Sequence, residues 1–321
     1  MLDVAACGEL LIDFTPTPHA EKGKIAFEQN PGGAPANVLT ALSRLGKRTS
    51  FIGAVGNDAF GQFLKQTLLD LNIGVTSLIM TSEAPTTLAF VHINEHADRS
   101  FHFYRNPGAD TLLRDTDIDA ELVARASLFH FGSLSLTHEP ARAATRKAVE
   151  IAKNNQRLVS FDPNYRASLW DDEDEAKRII LSGISQANIV KLSEEEVAFL
   201  TPTGNVNEAT DWLIQEYGNQ LILVTLGAKG CFYRTQNHSG IVRGFKIDAV
   251  DTTGAGDAFF GGMLYQILEA KEDIATLSQT ELEQMIRFAN AVGALATTKT
   301  GAIPAMPTLE EVERFIEQNT R

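Results

Sequence analysis

Asp251-Thr252-Thr253-Gly254-Ala255-Gly256-Asp257-Ala258-Phe259-Phe260-Gly261-Gly262 sets a carboxylate at the end of a small-residue loop, just where an apolar segment begins. Gly254, Ala255 and Gly256 carry little bulk, so successive backbone N–H groups can turn toward one anion. Met263, Leu264, Ile267 and Leu268 follow at helical spacing, which puts those N–H groups at a helix N-terminus, where negative charge is favoured. Asp257 should repel the phosphate that such a loop attracts. A hydroxyl awaiting deprotonation beside an incoming phosphoryl group resolves the conflict and points to phosphoryl transfer. A plainer structural reading, a glycine turn with an acid paired to the helix dipole, explains an isolated G-x-G-D on its own. A dinucleotide fingerprint would need a third glycine where Phe259 stands, and no Walker A string occurs.

A second signature lies far upstream. Asn30-Pro31-Gly32-Gly33-Ala34-Pro35-Ala36-Asn37 precedes a helical pattern through Leu39, Leu42 and Leu45 that stops at Gly46. Gly32 and Gly33 let a ligand approach the backbone, Pro35 suits a first helical turn, and Asn37 then points its amide from that turn. Together the two signatures resemble the ribokinase-like (PfkB) carbohydrate kinases over essentially the whole chain. Gly8-Glu9-Leu10-Leu11-Ile12-Asp13-Phe14, Phe101-His102-Phe103-Tyr104-Arg105-Asn106-Pro107-Gly108-Ala109-Asp110 and Phe161-Asp162-Pro163-Asn164-Tyr165-Arg166 sit where the fructokinases of that family carry similar strings.

The resemblance implies ATP-dependent transfer of the γ-phosphate to a primary hydroxyl, with D-fructose giving fructose 6-phosphate as the first reading. Within the class, 2-keto-3-deoxygluconate kinase and ribokinase are the rivals; outside it, a dinucleotide-dependent oxidoreductase or a non-catalytic sugar-binding protein. Asp257 is the implied base, with Gly254, Ala255 and Gly256 around the developing charge. Asp13, Gly32, Gly33, Asn37, Phe103, Arg105, Asp162 and Arg166 are implied to hold the sugar. Several have readings of their own. The apolar run Val4 to Ile12 predicts one strand with Asp13 at its carboxyl end, where open α/β sheets bind ligands, although a turn acid fits equally. Arg105 ends an alternating strand with Phe101 and Phe103 on one face, or is a solvated strand end. Asp162 and Arg166 bracket a Pro-Asn turn, and turn chemistry alone explains the Asp, Pro and Asn. The guanidinium is harder to dismiss, having several donors for hydroxyls or phosphate.

For ATP, the resemblance implicates Lys191, Ser193, Thr225, Gly227, Gly230, Gly254, Gly256 and Asn290. Lys191-Leu192-Ser193-Glu194-Glu195-Glu196 falls where the family carries N-x-x-E for magnesium and phosphate. Serine replaces the asparagine, and Ser193-x-x-Glu196 is equally a capping box; Glu196 stays a candidate for Mg2+ through water. Thr225-Leu226-Gly227-Ala228-Lys229-Gly230 would cover phosphates or merely turn. Asn290 lies among small residues that leave room for adenine or for close helix packing. The resemblance also implies a monovalent-cation (K+) site at Asp251 and Thr253, with backbone groups near Ala296, Gly301 and Ala305.

Apolar β-rich runs at Thr49 to Val55, Ser127 to Gly132, Leu158 to Phe161, Ile189 to Leu192 and Leu221 to Thr225 alternate with helical patterns. This predicts an α/β fold: a doubly wound, mainly parallel sheet with helices on both faces. Phe14 to Asn30 lacks a helix, and Thr87 to Arg105 reads as a hairpin around Asn94-Glu95-His96-Ala97-Asp98, so these stretches predict a separate small β-sheet. The expected division is a large domain of 1–13, 31–86 and 106–321 with a small β lid of 14–30 and 87–105, which in the family also serves as a dimer contact. At 321 residues with 44% hydrophobic content, the chain can fill such a core. Its net charge of −13 argues against nucleic acid or anionic membrane as partner. Two cysteines, Cys7 and Cys231, fit buried thiols in a reducing compartment, and the absence of a signal or membrane-spanning run predicts cytoplasmic residence. His92 and His96 flank a turn, which does not give the one-face spacing of a metal site.

Overall fold

In the computed structural model, which describes residues 2–17, 25–93 and 99–319, the strands are β1 (Leu2–Cys7), β2 (Leu11–Pro16), β3 (Phe27–Gly32), β4 (Thr49–Gly56), β5 (Ile73–Thr81), β6 (Leu88–Ile93), β7 (Arg99–Tyr104), β8 (Ala126–Gly132), β9 (Leu158–Asp162), β10 (Ile189–Ser193), β11 (Leu221–Thr225), β12 (Gly230–Arg234) and β13 (Ser239–Arg243). Nine form one sheet in the order β13-β12-β11-β10-β9-β8-β1-β4-β5. It is parallel from β11 to β5, and β12 and β13 add an antiparallel edge. The parallel strands read as continuous apolar runs because helices cover both faces. One face packs on helices Ala34–Arg44, Ala255–Ala270 and Gln279–Ala296 through Leu39, Leu42, Phe260, Met263 and Ile286. The other packs on helices Ala141–Asn154 and Glu173–Ile184 through Ala144, Ala148, Ile179 and Ile180.

The expected single strand from Val4 to Ile12 is in fact two. β1 ends at Cys7 in the large sheet, the chain turns at Gly8–Leu10, and β2 begins at Leu11 in a separate four-stranded sheet, ordered β3-β2-β6-β7. An unbroken apolar run hides this turn, because both sides of it are buried: Leu10 is 1% and Leu11 4% exposed. Asp13 therefore lies inside a strand of the small sheet, paired with Asn30 of β3. Phe14, Phe27, Phe90 and Tyr104 form an aromatic cluster across this sheet, and Phe14 meets Phe60 of the large domain edge-to-face. Asn94 to Asp98, His96 among them, and the Phe101 side chain lie outside the described residues. The chain alternation misses two strands. β5 follows its helix after a two-residue link, and β13 alternates exposed and half-buried positions at the sheet edge.

Candidate active site

The carboxyl ends of β1, β8, β9, β10 and β11 open on one side of the sheet, and the helix Ala255–Ala270 starts there. Gly254 caps it in the left-handed conformation (φ 75°), and a Cβ there would come within 2.6 Å of the Ala302 side chain. Farther along, a Cβ on Gly261 would meet Ala41 at 2.6 Å and one on Gly262 would meet Val292 at 2.8 Å. These glycines let three helices pack closely, and that packing fixes where the first turn stands. Asp257 occupies the third helical position and is only 7% exposed. The N–H groups of Gly256 and Asp257 have no acceptor among the described residues, whereas that of Ala255 donates to the Thr252 carbonyl at 3.2 Å. The anion loop thus presents the N–H groups of Gly256 and Asp257 but not that of Ala255, because the turn Thr252–Ala255 closes on itself.

Asn37 Nδ2 donates to Asp257 Oδ2 at 2.8 Å, joining the two signatures across the sheet face. Gly33 precedes the Asn37 helix at φ 116°, and any Cβ there would sit 2.3 Å from the Glu9 carbonyl oxygen. Gly32 leaves room for Asp13: a Cβ would fall 2.1 Å from Asp13 Oδ2. Desolvation pushes the Asp13 carboxyl up to about 7, with Arg166 opposing and Asp257 reinforcing the shift. Desolvation also raises Asp257 to about 6; Asp162 adds to this, while Lys191, the Asn37 hydrogen bond and Arg166 oppose it. Two carboxyls facing one space under these conditions are acceptors in need of donors, which sugar hydroxyls can supply.

Beneath them, Lys191 Nζ forms a buried ion pair with Asp162 Oδ2 at 2.9 Å. A Cβ on Gly256 would be 3.1 Å from that ammonium, so Lys191 lies directly behind the anion loop. Asp162 Oδ1 accepts the Asn164 N–H at 3.1 Å, the Asx turn that the Pro-Asn string suggests. Arg166 Nη1 donates to the carbonyls of Asn164 and Tyr165. Ser193 and Glu196 form the capping box in full: the serine hydroxyl accepts the Glu196 N–H at 3.2 Å and Glu196 Oε2 accepts the Ser193 N–H at 2.8 Å. Glu196 Oε1 accepts the Tyr165 N–H at 2.8 Å, so this carboxylate also pins the loop that carries Arg166.

Next to the anion loop opens a cleft of about 550 Å³, lined by Thr225, Gly227, Gly230, Gly256, Asn290 and Gly293 among others. Gly227 (φ 57°) and Gly230 (φ 106°) give the turn its curvature. The Asn290 amide does not project freely; Nδ2 donates to the carbonyls of Val242 and Arg243 at 3.1 and 3.3 Å. Sequence reasoning missed Phe245, Lys246 and Ile247, which line the same cleft. They follow β13 with no regular structure and no motif, so nothing in the pattern marks them. Asp251 Oδ1 accepts the Thr253 N–H at 2.8 Å and Oδ2 that of Gly301 at 3.0 Å, while Thr297, next to Ala296, takes the N–H groups of Val250 and Asp251. The segment through Ala305 is thereby tied to the anion loop. Among the described residues, no group of three or more His, Cys, Asp or Glu side chains could hold a metal ion.

Arg105 differs from the expectation of a guanidinium facing the sugar with an aromatic wall. It is 7% exposed and pairs with Asp110 Oδ2 at 2.6 Å, while Nη1 and Nη2 donate to Thr137 Oγ1 and the Leu134 carbonyl at 2.8 and 2.9 Å. β7 ends one residue earlier, at Tyr104, so Arg105 turns back into the large domain. Phe103 is half-buried.

A family profile described as pfkB family carbohydrate kinase matches residues 1–309. The chain is 44% identical over 319 residues to "Probable fructokinase-4" of Arabidopsis thaliana, covering 98% of this chain and 97% of that protein. It superposes on the fructokinase of Xylella fastidiosa with bound ATP at a TM-score of 0.91 and 36% identity, covering 99% of both chains. A double mutant of the Vibrio cholerae fructokinase in fructose-, ADP- and potassium-bound form gives a TM-score of 0.88 at 36% identity, covering 98% of each chain. With both signatures joined at one site and the match running through the whole fold, the chain belongs to the pfkB family of carbohydrate kinases.

Proposed function

We propose that this protein is an ATP-dependent fructokinase in which Asp257 accepts the proton of the fructose 6-hydroxyl as its oxygen attacks the γ-phosphate. The observation that carries this reading is the Asp257 carboxylate, held by Asn37 at 2.8 Å beside two N–H groups at a helix start that have no acceptor among the described residues. Those N–H groups stabilise the transferring phosphoryl charge. Asp13 and Arg166 orient the sugar, and the cleft along Thr225, Gly230 and Asn290 takes the nucleotide. Magnesium, if bound with the nucleotide phosphates, would offset their charge. Glu196 fits a water-mediated contact to it, because each carboxylate oxygen that accepts a backbone N–H keeps a second lone pair. A potassium ion would be held by Asp251 and Thr253 with backbone groups near Ala296, Gly301 and Ala305, a set that the Asp251–Gly301 bond brings together. Ile25 and Tyr104, 81% and 61% exposed beside the small sheet, are covered in a homodimer built through the lid. Cytoplasmic residence agrees with two buried free thiols and with the absence, among the described residues, of a helix long and apolar enough to cross a membrane.

Fructose is expected to show the highest kcat/KM in a panel with ribose, glucose, adenosine and 2-keto-3-deoxygluconate, read as ADP release with magnesium-ATP. A site that hydrogen-bonds particular hydroxyls rejects analogues lacking them by roughly 10⁴-fold. Preference for 2-keto-3-deoxygluconate would replace the substrate and leave the kinase chemistry standing. The pH profile follows from the two raised carboxyls. Both must be ionised to accept protons from hydroxyls, so kcat/KM should hold at high pH and fall as pH drops through the range of about 6 to 7. A profile flat to about pH 5 would exclude both as titrating participants.

A further inference from the structure

The small sheet joins the rest of the chain at four places, and two buried polar groupings stand at them: Glu9 where β2 leaves and β3 returns, and Asp110 with Thr87 and Arg105 where β6 leaves and β7 returns. β2 leaves after Glu9 and Leu10, β3 returns into Gly33 and Ala34, β6 leaves after Thr87, and β7 returns into Arg105. Glu9 is 2% exposed, and its Oε1 accepts the Ala34 N–H at 2.8 Å. That bond caps a helix whose own N-cap, Gly33, offers no side chain. Glu9 Oε2 is buried with no hydrogen-bond partner among the described residues. Asp110, 4% exposed, accepts Thr87 Oγ1 at one oxygen and the Arg105 guanidinium at the other. The charges of Asp110 and Arg105 both act on Glu9. Gly108 closes the cluster: a Cβ there would fall 1.9 Å from Thr87 Oγ1 and 2.8 Å from Asp110 Oδ1. Nothing in the proposed chemistry uses these residues, yet they are among the most deeply buried charges in the chain.

We propose that Glu9, Arg105 and Asp110 form a clasp at the root of the small sheet, a set of positioning residues that holds the lid in register with the sugar site without touching either substrate. The geometry links the clasp to the chemistry in two directions. Glu9 fixes the start of the helix that carries Asn37, and through it the Asp257 carboxylate. β2, which begins two residues after Glu9, carries Asp13. Loosening the clasp therefore displaces Asp13 and Asn37 together, and displacements on the order of 1 Å can lower turnover ~10²-fold. It also leaves the lid less able to exclude water.

This inference rests on the sugar-kinase reading, and the experiment separates the two. Asp110→Asn, Arg105→Lys and Glu9→Ala are assayed with magnesium-ATP for fructose phosphorylation and for ADP release without sugar, alongside thermal unfolding. The clasp predicts kcat lowered ~10- to 100-fold, a raised ratio of sugar-independent ADP release to phosphorylation, an unchanged KM for ATP, and recovery in Glu9→Gln, which keeps the Oε1 acceptor. A set of deoxyfructoses then distinguishes a clasp from a contact. If Arg105 positions, Arg105→Lys lowers kcat/KM by one common factor for fructose and every analogue; if it binds a hydroxyl, the factor vanishes for the analogue lacking that hydroxyl. The latter result overturns the proposal, as does a fall in melting temperature with unchanged kinetics. Should Asp110→Asn not fold, Thr87→Val removes one bond to Asp110, keeps the ion pair, and carries the same readouts. Failure of the wild-type protein to phosphorylate any sugar would instead remove the functional reading itself.

Discussion

Asp257→Asn should fold, bind fructose and ATP, and transfer phosphate on the order of 10² to 10⁴ times more slowly, a loss of about 3 to 5 kcal/mol of transition-state stabilisation. The asparagine is nearly isosteric, and its carbonyl can still accept the Asn37 amide that now donates to Asp257 at 2.8 Å. Proton acceptance is what disappears. Stability should move the other way. Burial and the Asp162 charge raise the Asp257 pKa to about 6, so at neutral pH the wild-type site holds an ionised carboxylate that folding disfavours. A neutral amide removes that strain, and the variant should melt at the same or a higher temperature, the usual relation between a charged catalytic group and its fold. Nucleotide affinity should also hold or improve, since one negative charge beside the phosphates is gone. Calorimetric titration of both ligands, with steady-state rates, separates these effects. Near-normal kcat would reduce Asp257 to a helix-start acid.

How much of this site the sequence carried depends on the range over which each residue acts. The glycines of Gly32-Gly33 and Gly254-Ala255-Gly256 mark themselves, because positive φ or close approach leaves them few substitutes. Five parallel strands were legible as apolar runs, since burial on both faces suppresses polar residues. The turn at Gly8–Leu10 was not, because the chain passes from one buried sheet to another without surfacing. Ser193 and Glu196 admitted both a local and a ligand-directed reading, and the capping box is present whichever ligand binds. The partners of Arg105 were hidden for a different reason. β7 ends at Tyr104, and of the partners of Arg105 only Asp110 is local, in the 3-10 helix Ala109–Leu112; Thr137 and Leu134 belong to a separate 3-10 turn that no local pattern places. The same holds for Lys246, which reaches the cleft only because β13 returns the chain there.

Lys191→Met should destabilise the protein by about 3 to 5 kcal/mol, because it strips the cation from a pair in which both side chains are buried and leaves Asp162 uncompensated. Burial alone would lower the lysine pKa; the carboxylates of Asp162, Glu196 and Asp257 outweigh it and hold the pKa above its ordinary value. A cation whose folded pKa is raised contributes fully below its unfolded pKa of about 10.4 and loses that contribution only as pH rises further. The loss in Lys191→Met is therefore expected in full at neutral pH and should shrink in acid, where protonation of the facing carboxylates removes the uncompensated charge; the urea midpoint is the measurement. Lys191→Met combined with Asp162→Asn should recover much of it, since no buried charge then stands alone. Activity supplies an independent reading. Lys191 is one of the groups that hold the Asp257 pKa down, so its removal should move the acid limb of kcat/KM upward from about 6 in whatever fraction remains folded. A variant with unchanged stability and only a raised KM for ATP would show that the ammonium serves the nucleotide and that Asp162 does not depend on it; the ion pair seen beneath Gly256 would then be a resting arrangement that the phosphates displace.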